Sequence, residues 1–170
     1  MNTILKFSIV VAALGVSACT DAGRFGNNDG SVTQGANGAF ANDAASDPTS
    51  VAYFQQSVGD RVLFSVDQTT LTQEGQFTLQ GQAAWLKANP DYTAVIEGHA
   101  DEQGTTEYNL ALGARRADAA RSYLVSQGIP AARLKVVSYG KERPLEICSQ
   151  EACYAKNRRA VTVLATGLTS

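Results

Sequence analysis

The sequence predicts an α/β domain (an α+β sandwich), a mixed sheet with helices packed on one face, and three observations carry that prediction. Runs rich in β-branched and aromatic residues alternate with segments of helical period. Each long helix opens on a threonine cap and closes on a breaker. The alternation fills residues 51–170, one ordinary domain large enough for its own core. Val62-Leu63-Phe64-Ser65-Val66 reads as the first strand. Thr72 then caps a helix with Glu74 in its first turn and Leu79, Ala83 and Leu86 among its apolar members, ending before Asn89-Pro90. Tyr92 to Glu97 is the second strand. Thr105 caps a second helix, with Glu107 in its first turn, that runs to about Gln127 before Gly128 stops it. Leu134 to Tyr139 is the third strand and Ala160 to Ala165 the last. This order of strand, helix, strand, helix, strand implies right-handed crossovers onto one sheet, with the final strand completing an edge. Trp85, Tyr123 and Phe77 are expected in the helix–sheet core, not around a cofactor.

The loop between the second strand and the second helix carries the chemistry. Asp101 follows the strand and precedes Gly104, so it lies where a side chain can reach a groove. Asn109, Leu112, Arg116, Ala119 and Tyr123 recur at helical spacing, so Arg116 interrupts an otherwise apolar stripe. A guanidinium there is costly unless an anion meets it. On spacing alone, Asp101 and Arg116 satisfy each other as a structural ion pair, or they form a split site. In the second case Asp101 takes a ligand ammonium while the planar fork of Arg116 takes a carboxylate. A free α-amino-acid end offers both charges within one small group.

The run Gly98-His99-Ala100-Asp101, Gly104, Tyr108-Asn109, Leu112 and Arg115-Arg116-Ala117 resembles the core motif of OmpA C-terminal-like domains. The similarity continues through Tyr123-Leu124, Gly128-Ile129, Ser138-Tyr139-Gly140-Lys141-Glu142, Pro144 and Tyr154 to Val161, and spans roughly residues 60 to 165. The resemblance implies non-enzymatic binding of peptidoglycan without a cofactor. It places the free end of meso-diaminopimelate, in the stem peptide, on Asp101 and Arg116. Asn109, seven residues before Arg116, would add a hydrogen bond, and Phe64, Ser65 and Arg158 would line the groove. It also implies a place in the Tol system of the envelope, where the β-propeller protein TolB competes with the cell wall for this surface. An anchor of the same kind outside that system is the alternative.

The N-terminus is a separate signal. Lys6 precedes an apolar run from Phe7 to Val16, short for a bilayer span, followed by Val16-Ser17-Ala18-Cys19. Residues 1–18 read as a signal peptide, and the small residue before Cys19 resembles the bacterial lipobox, which implies cleavage before Cys19 and its acylation by fatty acids such as palmitate. Several acyl chains anchor far more firmly than one. Thr20 in place of aspartate implies the outer membrane, with the domain on its periplasmic side. Residues 20–50 are dominated by Gly, Asn, Ala, Asp and Ser, cannot bury enough surface to offset ordering, and read as a tether. Its 31 residues span roughly 30 Å as a flexible chain and about 100 Å fully stretched.

Charge excludes one class of partner. Of 14 basic and 16 acidic residues, Lys6, Arg24 and the four aspartates 21, 29, 43 and 47 precede residue 51, so the domain balances at twelve of each. No basic surplus points to nucleic acid. With Cys19 assigned to lipid, Cys148 and Cys153 read as a disulfide in an oxidising periplasm. Two cysteines with only His99 elsewhere are too few for a structural zinc site. His99 has no serine or cysteine nucleophile in a recognisable setting, and Asp101 and Glu102 are sequence neighbours that would not bracket a glycosidic bond. A peptidoglycan hydrolase is therefore the distant alternative, behind the two kinds of anchor.

Overall fold

The computed structural model describes residues 45–166; the expected signal peptide, Cys19 and the expected tether up to residue 44 lie outside the described residues. The chain enters through a short helix, α1 (Val51–Tyr53), capped by the Ser50 hydroxyl, which runs on as a π-helical turn over Phe54–Gly59. Then follow β1 (Arg61–Leu63), α2 (Gln73–Ala88), β2 (Tyr92–His99), α3 (Thr106–Ser126), β3 (Leu134–Gly140), α4 (Glu151–Asn157) and β4 (Arg159–Thr166). A 3₁₀ turn, Ala131–Arg133, leads into β3. The threonine caps form as expected: Thr72 Oγ1 accepts from Gly75 N–H at 3.0 Å and Thr105 Oγ1 from Tyr108 N–H at 3.2 Å. Gly128, at φ 93°, ends α3 in the left-handed conformation that glycine adopts without steric cost.

The sheet order is β1-β4-β2-β3, with β2 and β3 parallel and both edges of β4 antiparallel to their neighbours. The last strand therefore occupies the interior, not the expected edge. The crossover rule fixes how β3 joins β2 but not which side of β2 a later antiparallel strand takes. Between β1 and β2, β4 satisfies the ladder groups of both, pairing Ala160 with Val62 on one side and with Gly98 on the other. The first strand is also shorter than its sequence suggests. After one further bond, Phe64 N–H to Arg158 O at 2.9 Å, the chain leaves the sheet and turns through Asp67 at φ 53°.

Both long helices pack against the sheet and against each other. Ala94, Ile96 and Gly98 of β2 face them and are buried, whereas the alternating Thr93, Val95 and Glu97 are only half-buried. Phe54, Leu79, Leu86, Leu124 and Ile129 complete the core, and Trp85 packs on Phe54 and Tyr92 with ring centroids 5.0 Å apart in each case. Trp85 and, in part, Tyr123 belong to this core, but Phe77 does not: it is 78% exposed. Two positions before Leu79 places it about 200° round the helix, on the face turned away from the sheet. Trp85 Nε1 and the Tyr92 hydroxyl donate to the carbonyls of Pro48 and Thr49, holding that segment on the domain. Cys148 and Cys153 are joined as expected.

Candidate functional site

Just past the end of β2, Asp101 reaches a cleft of about 220 Å³. Val66 and Asp67 form one wall, Asp101, Gln103 and Gly104 another, and Tyr108, Asn109 and Leu112 of α3 the third. Asp101 is nearly buried, and both its oxygens are engaged: Oδ1 accepts from Gln103 N–H at 3.2 Å and Oδ2 from Arg158 Nη1 at 3.1 Å. Asn109 Nδ2 donates to Gln103 O at 2.7 Å, tying the helix to the same loop. Of the residues singled out from sequence, Asp101 and Asn109 face the cleft directly.

Arg116 lies beneath it. Its guanidinium has no exposed surface and clasps three backbone carbonyls: Nε donates to Gln68 O at 2.9 Å, Nη1 to His99 O at 3.0 Å and Nη2 to Ser65 O at 3.2 Å. It also stands 5.5 Å from the centre of the buried Phe64 ring. Burial pulls its pKa down to about 10 although the nearby Asp101 works the other way, so it stays charged at neutral pH. Asp101 takes Arg158, not Arg116, as its ion-pair partner. The anion expected to meet Arg116 within the protein is thus replaced by carbonyl dipoles. Three of its five N–H groups are used, which leaves one on each terminal nitrogen.

Arg158 is the second hub. It donates from Nε to Phe64 O at 3.2 Å and carries two carboxylates, Asp101 on the cleft side and Glu151 from α4. Burial opposes its charge, but the hydrogen bonds it donates to Glu151 and Asp101 outweigh that and raise its pKa; in turn Arg158 holds the Glu151 carboxyl below its ordinary range. Phe64, Ser65 and Arg158, expected to line the groove, are not among the residues that line it; they connect to it through hydrogen bonds and contacts with Asp101 and Arg116. Sequence reasoning did not single out Tyr108, whose hydroxyl donates to Asp67, or Glu151. Tyr108 was signalled by its place beside Asn109 in the motif; Glu151 lies on a helix too short to show a period.

His99 sits behind the site, 2% exposed, with neither ring nitrogen hydrogen-bonded and its ring tilted against Tyr139. Glu97 approaches only to 3.8 Å. Burial first, then the charges of Arg159 and Arg143, press its pKa down from 6.5 to about 4. The unfolded chain then binds a proton that the folded chain excludes. The stability His99 confers at neutral pH is accordingly lost as pH falls from about 6.5 to about 4, by up to about 3 kcal/mol. Urea unfolding of wild type and His99→Leu across that window should show a steeper acid loss in the wild type, and equal slopes would exclude this account.

The family model that matches is the OmpA family, over residues 63–158. The chain is 47% identical to the peptidoglycan-associated lipoprotein of Agrobacterium fabrum, over 96% of this chain and 91% of that one. It is 44% identical to that of Rhizobium meliloti, with the same coverage. Among solved structures, the peptidoglycan-associated lipoprotein from Burkholderia pseudomallei superposes with a TM-score of 0.65 at 39% identity, covering 70% of this chain and 100% of that one. The chain belongs to the OmpA family and, within it, to the peptidoglycan-associated lipoproteins.

Proposed function

We propose that this protein is a non-enzymatic wall anchor: Cys19 carries acyl chains in the outer membrane, and the cleft at Asp101 holds the diaminopimelate end of a peptidoglycan stem peptide. The single observation that carries the reading is that Asp101 and Asn109 open together onto one cleft, while the charged Arg116, buried and outside its lining, donates to His99 O two residues before Asp101. Asp101 would take the ligand ammonium on its remaining lone pairs. The two N–H groups left on Arg116 would take the carboxylate, which reaches so buried a group when the Ser65–Gln68 turn gives way. Phe64 and Arg158 support this geometry, and the family membership supports the wall as target. The same surface is proposed to be contested by TolB, within a Tol system that serves envelope integrity and cell division. An anchor with no Tol partner is the second outcome of a sacculus pull-down performed with and without TolB.

Ligand chemistry supplies the sharper test. A lysine stem peptide keeps the ammonium of diaminopimelate but lacks its second carboxylate. Titration calorimetry should find at least about a tenfold preference for the diaminopimelate peptide, roughly 1.4 kcal/mol. Asp101→Ala should weaken binding of both peptides by removing the ammonium's partner. Equal affinity of the wild type for the two peptides would rule out a carboxylate site.

The anchor is tested separately. Cys19→Ser should abolish incorporation of an alkyne fatty acid in cells and leave the precursor uncleaved. Equal label in mutant and wild type would remove the anchor from this reading.

A further inference from the structure

The loop closed by Cys148 and Cys153 touches the binding cluster from outside, and nothing in the wall-binding reading uses it. Two of its side chains, and Tyr154 directly after it, reach the Asp101 loop or the arginine behind it. The Ser149 hydroxyl donates to Glu102 Oε1 at 3.3 Å, and the Tyr154 hydroxyl donates to the same oxygen at 2.9 Å. Glu151 grips the buried guanidinium of Arg158, which in turn holds Asp101 Oδ2. The disulfide spans Ser149 and Glu151, with Tyr154 directly after it. At the base of the same loop the Asn157 side chain accepts from Leu145 and Glu146 N–H at 2.7 and 3.0 Å and donates to Glu146 O.

We propose that the disulfide-closed turn is a positioning clamp for the ligand loop, with Ser149 and Tyr154 fixing Glu102 and Glu151 fixing Arg158, so that Asp101 is presented in one orientation. The clamp rests on the wall-binding reading. Each contact is weak alone, because Glu102, Ser149 and Glu151 are exposed and water competes for them. The cross-link makes them cooperative: with residues 148 and 153 joined, ordering one contact leaves little chain entropy for the others to remove. Ordering Asp101 before the ligand arrives lowers the cost of binding. Glu151, Tyr154 and Ser149 are positioning residues, since none of them lines the cleft.

The experiment compares the full chain with Cys148→Ser/Cys153→Ser, Glu151→Ala and Tyr154→Phe, using a diaminopimelate stem tetrapeptide in calorimetry and amide hydrogen exchange at Gln103, whose N–H reports the Asp101 hydrogen bond. Expected are a threefold to tenfold loss of affinity in the double variant, a smaller loss in each single variant, and faster Gln103 exchange in the absence of ligand. Circular dichroism should show all variants folded. Where the wild type binds, unchanged affinity and unchanged Gln103 exchange in the double variant overturn the clamp alone. Tighter binding by Glu151→Ala also overturns it, since Glu151 would then be competing with the ligand. A wild type that does not bind the peptide overturns the wall-binding reading, and the clamp's role in affinity falls with it.

Discussion

Gly98→Ala is expected to cost at least about 4 kcal/mol of folding stability and to lower the melting temperature by roughly 15 °C. Gly98 stands on the face of β2 turned towards α3, where the two backbones meet without side chains between them. A methyl group there would lie 1.8 Å from Gly113 O and 2.5 Å from Gly113 C. Both atoms are main chain, so no change of rotamer relieves the overlap, and α3 would have to lift from the sheet that buries Ala117, Ala120 and Leu124. The contact is reciprocal: a methyl on Gly113 would meet Gly98 O at 2.8 Å and Ser138 Oγ at 2.5 Å. Gly81 supplies the opposite sign. On the exposed side of α2 its added methyl meets only Val58 Cγ1 at 3.6 Å, so Gly81→Ala should stabilise by about 0.5–1 kcal/mol through helix propensity. Urea titration of the three proteins measures both effects, and a Gly98→Ala protein within 1 kcal/mol of wild type would contradict the close approach of β2 and α3.

Arg116→Ala is expected to cost about 3 kcal/mol, a price set less by lost attraction than by what the side chain leaves behind. The carbonyl of His99 would be stranded in the interior, the turn carrying Ser65 and Gln68 would lose its tie to α3, and a large space would open beside Phe64. Arg116→Lys separates structure from recognition. It keeps the charge, but a single ammonium cannot serve three carbonyls and a ligand carboxylate at once. It should fold with a loss of about 1–2 kcal/mol and bind diaminopimelate and lysine stem peptides equally. If folded Arg116→Lys kept the full preference for diaminopimelate, Arg116 would be a purely structural residue and another group would have to read the carboxylate.

The order of elements was legible because each signal is local: Thr72 and Thr105 bond to amides three residues ahead, Gly128 stops α3 where it stands, and the strands after residue 90 fall within a residue or two of the runs that predicted them. The motif around Asp101 and Arg116 was equally legible, since its residue types and spacings lie within one loop and one helix. Hydrophobicity alone does not place Phe77, because its angle about the helix axis turns it away from the sheet. Helix α4 and the early end of β1 gave no periodic signal, one being seven residues long and the other ended by a turn.

By itself, then, the sequence determined the α/β class, the caps and stops, the paired cysteines and the motif that brings Asp101 and Asn109 to one cleft, all of which depend on near neighbours or on side-chain chemistry alone. Only the tertiary structure decided which partner each charge takes. Asp101 meets Arg158 across 57 residues, and Arg116 reaches Gln68 and Ser65 across 48 and 51. It also decided that β4 runs through the sheet interior and that Gly98 and Gly113 touch. Such pairings are selected by the burial of the whole core and by the need to satisfy every buried polar group at once, a condition that no local stretch of chain contains.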